Sequence, residues 1–166
     1  MDFLDLCRKR RSIRSYRPDP VPEEKLEYVL EAGRLAPSWK NNQCWRFVVV
    51  TDEAKRKAIS GREWHAEAPV IIVGCAYPEL SGSRFGQRYY ILNMGIAMEH
   101  MVLAAAEQGL GTCWIGGQFD EPTVKRTLGI PEGVRVVAYT PLGYPAETPG
   151  PKERKPMDEI VGHEKW

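Results

Sequence analysis

The sequence contains no pattern that would hold a structural metal ion. Its four cysteines stand apart, with no CxxC pair, and none of the three histidines lies at zinc-like spacing from a cysteine. Four cysteines could form two disulfides, but nothing marks the chain as secreted, so we expect no metal and free thiols. Cys75 and Cys113 lie in apolar segments and are expected to be small core residues.

Long apolar runs and an excess of one charge are also missing. No apolar run approaches the roughly 20 residues that a membrane span needs. Lys and Arg number 23 against 22 Asp and Glu, a formal net charge of +1, which argues against a dedicated nucleic-acid or anionic-membrane protein. No signal-peptide core follows the acidic N-terminus. We therefore expect a cytoplasmic protein with neither nucleic acid nor membrane as a partner.

The length and the hydrophobic patterns predict one α+β domain. The 166 residues fit a single domain, 1–166, with an irregular C-terminal arm from about residue 145, and leave little interior space for a large cofactor. Helix patterns alternate with strands without regular βαβ units, which predicts a mixed sheet of four to five strands flanked by helices. The predicted strands are 46–51, 69–76 (central), 112–115 and 135–143, and the predicted helices are 2–11, 22–36, 53–60, 89–108 and 120–128. The helix at 89–108 is apolar nearly all round, so we expect it to be buried on most sides.

Basic residues cluster where the first helix gives way to extended chain. Alternate residues of an extended segment share a face, so Ser12 and Arg14 can point the same way, with Arg10 approaching from the helix. Guanidinium groups and a hydroxyl suit a phosphate. A solvated basic stretch is the alternative interpretation.

A polar loop, residues 37–44, joins the second helix to the first strand. Its small hydroxyl and amide side chains suit hydrogen bonds to the heteroatoms of a flat ring system. The alternative is a structural loop that Trp45 anchors in the core.

Glycines flank the predicted strand at 112–115. Gly116 and Gly117 would let the backbone approach a ligand closely, although the spacing does not fit a dinucleotide-binding motif. A helix cap followed by a tight turn would explain the same glycines. Lys152 and Arg154 in the C-terminal arm could complete a phosphate site, or belong to a charged tail.

The sequence shows no acid, base or nucleophile in a catalytic arrangement. There is no Ser-His-Asp, Cys-His or paired-carboxylate pattern, and no P-loop. Binding groups without catalytic side chains are what remains when a bound cofactor carries the chemistry.

Taken in order, four segments resemble the FMN-dependent nitroreductase family over nearly the whole chain. They read R-R-S-I-R-x-Y, A-P-S-x-x-N-x-Q-x-W-x-F, G-L-G-T-x-W-I-G-G and K-x-R-K-P. The resemblance implies a homodimeric α+β fold with FMN held between the two chains. It also implies reduction of nitroaromatics, quinones or similar acceptors with NADH or NADPH, by ping-pong hydride transfer through flavin N5.

The resemblance assigns cofactor-binding residues by position and no catalytic side chain, because the flavin carries the chemistry. For the phosphate and ribityl chain the residues are Arg10, Ser12 and Arg14, with Lys152 and Arg154 as the distant half. Arg11 is assigned to the pyrimidine side. The loop that the partner subunit lays against the flavin corresponds to Pro37, Ser38, Trp39 and Asn41. The backbone near N5 and O4 corresponds to Ile115, Gly116 and Gly117.

Three positions depart from the family pattern. Trp39 replaces a common second serine, Cys44 replaces the usual proline, and Asn93 replaces a common acidic residue at the head of the long helix. Trp39 implies a more aromatic substrate face, and the short chain implies an open site with a broad acceptor range. The alternatives are a specialised flavoenzyme (a reductive dehalogenase, or an enzyme that consumes its own flavin) and a non-catalytic flavin-binding protein.

Overall fold

A computed structural model describes residues 2–166, so Met1, the first residue of the predicted domain, lies outside the described part. The helices are α1 Phe3–Lys9, α2 Glu23–Arg34, α3 Glu53–Ile59, α4 Glu63–Glu67, α5 Tyr89–Glu107, α6 Glu121–Leu128 and α7 Met157–Ile160. The strands are β1 Trp45–Val50, β2 Val70–Ala76, β3 Ser83–Arg84, β4 Gln87–Arg88, β5 Gly111–Thr112 and β6 Arg135–Gly143. Short 3-10 turns lie at Trp39–Asn41 and Pro78–Leu80.

The main sheet has four strands in the order β1-β2-β6-β5, which confirms the predicted α+β class. All three strand pairings of this sheet are antiparallel, and among residues 2–166 parallel pairing is limited to one bridge between Ser12 and Thr112. The sheet is therefore mixed only through this bridge. Strand β2 is central and all seven of its residues are buried, as its uniformly apolar sequence predicted.

Capping residues begin and end the helices where the sequence placed them. The Asp2 side chain accepts from the backbone of Asp5 at 2.9 Å, and Asp120 accepts from Thr123 at 2.9 Å. Gly129 ends α6 in the left-handed conformation, with φ of 67°. The predicted bounds of these helices are confirmed to within two residues.

The sheet carries a hydrophobic core on each face. Because side chains alternate along a strand, Ile72 of β2 faces α2 and α5, whereas Ile71 and Val73 face α3 and α6. Cys75 and Cys113 are buried in the second core, as expected, and all four cysteines are free thiols. In the described part of the chain no helix is long and apolar enough to cross a membrane.

Helix α5 is buried on most sides but not all. Ile91, Leu92 and Ile96 are 40–52% exposed in the single chain. Apolar residues all round a helix predict burial, yet the pattern does not distinguish a core from a surface that another chain would cover.

Three elements of the described chain, apart from the 3-10 turns, were not predicted from the sequence. Two are the short helices α4 and α7, whose five and four residues are too few to show a period. The third is the β3–β4 hairpin, which turns at Phe85 and Gly86, both with positive φ. The hairpin occupies the chain between β2 and α5, where no element had been predicted.

Candidate functional site

Ser12 and Arg14 lie beside the segment that follows β5. The backbone N–H of Ile13 donates to the Thr112 carbonyl at 2.9 Å, which places this extended segment along the sheet edge. The Ser12 side chain lies near the Cys113 thiol, whose pKa is raised by burial despite the nearby Arg14 and Arg10 charges. The structure thus brings the first and third predicted segments together.

The Arg14 guanidinium lines a cavity of about 280 Å³ together with Cys113, Ile115 and Gly116. Among residues 2–166 it has no hydrogen bond or ion pair, although the Arg14 backbone N–H donates to the Glu147 carboxylate. A free cation beside the Gly116 backbone is a binding arrangement for an anionic or hydrogen-bonding ligand.

Arg11 has a different environment from Arg14. Its guanidinium donates to the carbonyls of Arg8, of Arg10 at 2.8 Å and of Gly150 at 3.1 Å. These bonds tie the end of α1 to the C-terminal arm. Three of the five N–H donors of the Arg11 guanidinium are used in these bonds. The pyrimidine contact assigned to Arg11 stays a prediction. Arg10 and Arg11 line a separate cavity of about 730 Å³ that includes Glu147.

The loop at residues 37–44 is fixed by its own hydrogen bonds. The Ser38 hydroxyl accepts from the backbone of Gln43 at 2.9 Å, and Lys40 and Asn41 both have φ of 53°. The Trp39 ring lies 5.6 Å from the Tyr89 ring. A methyl group on Gly82 would come within 2.8 Å of the Trp39 ring, so only glycine lets the hairpin base pack beneath it.

The three departures from the family pattern form one cluster. The Asn93 side-chain oxygen accepts from the Trp39 backbone at 3.0 Å, and its NH₂ group donates to the Asn42 oxygen and to the Cys44 sulfur, each at 3.3 Å. An amide can accept and donate at once, whereas a carboxylate can only accept. Asn93 is therefore matched to Cys44 and to the path of the loop.

This loop and the Ser12–Arg14 segment lie at opposite edges of the sheet. The loop leads into β1, whereas Ser12 pairs beside β5, and three strand spacings, about 14 Å, separate these two edge strands. The loop residues therefore lie at the β1 edge, whereas Ser12 and Arg14 lie at the β5 edge. These loop residues are Pro37, Ser38, Trp39 and Asn41. Within one chain the predicted site is divided.

Ile115, Gly116 and Gly117 form the open segment between β5 and α6. Ile115 pairs with Tyr139 of β6 through two backbone hydrogen bonds, at 2.9 and 3.0 Å. A methyl group at Gly117 would meet nothing within 4 Å, so this backbone is accessible. Gly116 and Gly117 also line a cavity of about 380 Å³ with Tyr90 at the start of α5.

Lys152 and Arg154 lie on the exposed arm. The Arg154 guanidinium donates to the carbonyl of Glu153 at 3.2 Å. In the part of the chain that the structure describes, neither cation is bonded to Ser12 or Arg14. Their place in a phosphate site remains a prediction.

A buried histidine beside the site was not found from the sequence. His65 of α4 is fully buried, and its Nδ1 lies 2.5 Å from the Tyr139 hydroxyl. Burial, with a smaller contribution from the Arg62 charge, lowers the pKa of His65 to about 4. A single histidine in an unrecognised short helix carries no motif, so no signal in the sequence identified it.

The lowered pKa of His65 makes the folded protein sensitive to acid. The unfolded chain takes up this proton near pH 6.5, whereas the folded chain does so only near pH 4. Stability therefore falls as the pH drops through that interval. We expect His65 to account for about 2 kcal/mol of the stability lost between pH 7.5 and pH 5. Urea unfolding at both pH values should show a loss smaller by this amount in His65→Asn, and an equal loss would contradict the assignment.

Comparisons with known proteins agree on one family. A family model described as the nitroreductase family matches residues 7–66 and 60–144. A curated protein named putative NADH dehydrogenase/NAD(P)H nitroreductase, from Methanothermobacter thermautotrophicus, is 35% identical over 176 residues, covering 100% of this chain and 88% of that protein.

Solved structures agree with the sequence comparison. A nitroreductase family protein from Clostridium novyi NT has a TM-score of 0.82 and 38% identity, covering 100% of this chain and 95% of that one. An FMN-dependent nitroreductase from Clostridium difficile R20291 has a TM-score of 0.85 and 30% identity, covering 99% and 100% of the two chains.

Proposed function

Because this chain belongs to the nitroreductase family, we propose that it is an FMN-dependent oxidoreductase that uses NADH or NADPH to reduce nitroaromatics, quinones or similar acceptors. The observation that carries the proposal is the meeting of Arg14 with Ile115 and Gly116 at one cavity, next to Ser12, which pairs with Thr112. Segments about 100 residues apart in the sequence supply the two kinds of group that a flavin nucleotide requires.

The groups at this cavity fit FMN. The unpaired Arg14 guanidinium and the Ser12 hydroxyl would hold the anionic phosphate and the ribityl chain. The backbone at Gly116 and Gly117 carries no side chains of its own, and Gly117 has open space beside it, so this backbone would hydrogen-bond the edge of the ring. Further positive charge near the phosphate would come from Arg10 at the end of α1 and from Lys152 and Arg154 on the arm.

Bound FMN would supply the redox chemistry, taking hydride from the nicotinamide and passing it to the acceptor. The residues of this chain would bind and orient the ring. The backbone N–H groups of Gly116 and Gly117 would stabilise the negative charge that the ring gains on reduction, since the Ile115 N–H donates to the Tyr139 carbonyl. This role needs no side-chain acid or base, in keeping with their absence from the sequence pattern.

We propose that the working form is a homodimer in which each flavin contacts both chains. The divided site supports this arrangement, because a second copy would bring its Pro37, Ser38, Trp39 and Asn41 to the Arg14 side. The exposed apolar face of α5, at Ile91, Leu92 and Ile96, offers a surface that a second copy would bury. The arm from about residue 145, exposed throughout residues 151–166, would pack on the partner.

The acceptor would meet an aromatic surface. Trp39 is 37% exposed and is held by Tyr89 and Gly82, with the Lys40 ammonium 4.7 Å from its ring centre. Flat aromatic acceptors suit such a surface because aromatic rings pack favourably on one another. The β3–β4 hairpin is short, so the proposed site stays open to a broad range of acceptors.

Colour gives the first test of the proposed function. The purified protein should be yellow, or become yellow with added FMN, and the absorbance near roughly 450 nm should bleach anaerobically with NADH or NADPH. A second oxidant such as a quinone should restore the colour. A yellow protein that neither nucleotide bleaches would indicate flavin binding without catalysis, and a protein that takes up no FMN would refute the proposal.

A further inference from the structure

The segment at residues 115–119 is held at both ends by contacts that meet at Tyr139. At one end Ile115 pairs with the Tyr139 backbone. At the other end the turn between α3 and α4 abuts Gln118, since a methyl group on Gly61 would lie 1.7 Å from the Gln118 carbonyl oxygen. The Gly61 N–H donates to the Tyr139 hydroxyl at 3.3 Å, which links the two ends.

His65 completes this link from inside the core. It is fully buried, its Nδ1 lies 2.5 Å from the Tyr139 hydroxyl, and its Nε2 has no partner among the described residues. A buried imidazole with an unpaired nitrogen costs folding free energy that an apolar side chain of similar size would not. Packing alone therefore does not account for a histidine at this position, whereas fixing the Tyr139 hydroxyl does.

Gly116 and Gly117 lie between the two anchors. With no side chains of their own, these residues take their position from the ends of the segment. Trp64, edge-on to the His65 ring at 4.1 Å, lines the same cavity as Arg14 and Gly116. Helix α4 thus reaches the site through Trp64 and through the Tyr139 link.

We propose that His65 and Tyr139 are positioning residues that fix the Gly116–Gly117 backbone against the flavin and so set its reduction potential and rate of reduction. Neither residue lines the cavity at Arg14, so both act through Ile115 and Gly61. The inference rests on the proposed function, because it takes residues 115–117 as the segment that faces the ring.

Four variants of the FMN-loaded protein test this inference. Tyr139→Phe removes the hydroxyl, and His65→Leu removes its partner. His65→Asn keeps a polar atom close to the Nδ1 position and serves as the conservative rescue. Val124→Ala is the control for lost stability, because Val124 is a fully buried residue of the same core without a hydrogen bond to this link.

The measurements are the FMN midpoint potential, the rate of flavin reduction by NADH or NADPH, the FMN dissociation constant, and hydrogen exchange of the Ile115 amide without FMN. Tyr139→Phe and His65→Leu should slow reduction about tenfold or more and speed the exchange. Both should change the reduction equilibrium about tenfold, or about 30 mV for two electrons. FMN affinity should stay within about twofold, because the phosphate contacts are elsewhere.

The control variants separate positioning from stability. His65→Asn should retain wild-type potential and rate, and Val124→Ala should lower the Tm without changing either. Suppose that the wild-type protein binds and reduces FMN. If His65→Leu then behaves like Val124→Ala, the positioning role is refuted and the proposed function stands. If the wild type binds no FMN, both fail. Should Tyr139→Phe not fold, the difference between the two His65 variants decides.

Discussion

Arg14→Ala is expected to weaken FMN binding about 10- to 100-fold. A hydrogen bond to a charged group contributes about 1.5–3 kcal/mol, and each 1.4 kcal/mol is tenfold in affinity. The Arg14 guanidinium has no hydrogen-bond or ion-pair partner among residues 2–166 and lines the cavity with Ile115 and Gly116, so its truncation breaks no polar contact within the described fold. Titration of the apoprotein with FMN, followed by flavin fluorescence, gives the dissociation constant directly.

Arg17→Ala is the matched control for this measurement. It removes the same charge three residues further along, but Arg17 is paired with Asp19 at 3.1 Å and lies 5.0 Å from the centre of the Tyr144 ring. Its FMN affinity should stay within about twofold of wild type, because surface ion pairs contribute little. Equal weakening in both variants would point to a general charge effect, and an unchanged Arg14→Ala would remove Arg14 from the phosphate site.

Gly61→Ala should be the most destabilising single-methyl change at the link described above. Its methyl group would lie 1.7 Å from the backbone oxygen of Gln118, and a backbone atom cannot rotate out of the way as a side chain can. We expect a loss of about 3 kcal/mol, at the upper end for overpacked positions. For a chain of this size that corresponds to a fall in Tm of roughly 6–12 °C. Thermal and urea unfolding both measure it.

Gly133→Ala adds the same methyl group where nothing lies within 4 Å. Its stability should stay within about 0.5 kcal/mol of wild type, as for most exposed substitutions. The difference in stability between Gly61→Ala and Gly133→Ala therefore measures the contact between the α3–α4 turn and residue 118. A Gly61→Ala protein as stable as Gly133→Ala would show that residues 118 and 119 move freely.

Strong local patterns made most of the fold predictable. Strand β6 lies at 135–143 as predicted, because its apolar run ends at a glycine on one side and a charged turn on the other. Asp120 and Gly129 defined α6 because a cap and a left-handed glycine are chemical signals within a few residues. The β3–β4 hairpin carries no such signal, since its strands are two residues long and exposed.

The candidate site was predictable as segments but not as an arrangement. Motif order identified Ser12, Arg14 and the glycines, yet only the sheet order reveals that the loop with Trp39 adjoins the opposite edge. The contacts of Asn93 with residues about 50 positions away could not be read from composition or periodicity. His65 was missed for the same reason, since its partner Tyr139 is 74 residues away.

The loop with Trp39 and the segment with Arg14 lie at opposite sheet edges, and this separation affects how the cofactor is retained. If each flavin is held by both chains of the proposed dimer, FMN affinity and subunit association are linked equilibria, and each strengthens the other by the same factor. Dilution would then release flavin even when its free concentration is kept constant. Damage to the apolar face of α5 at Ile91, Leu92 or Ile96 would have the same effect, without touching any residue that contacts the phosphate.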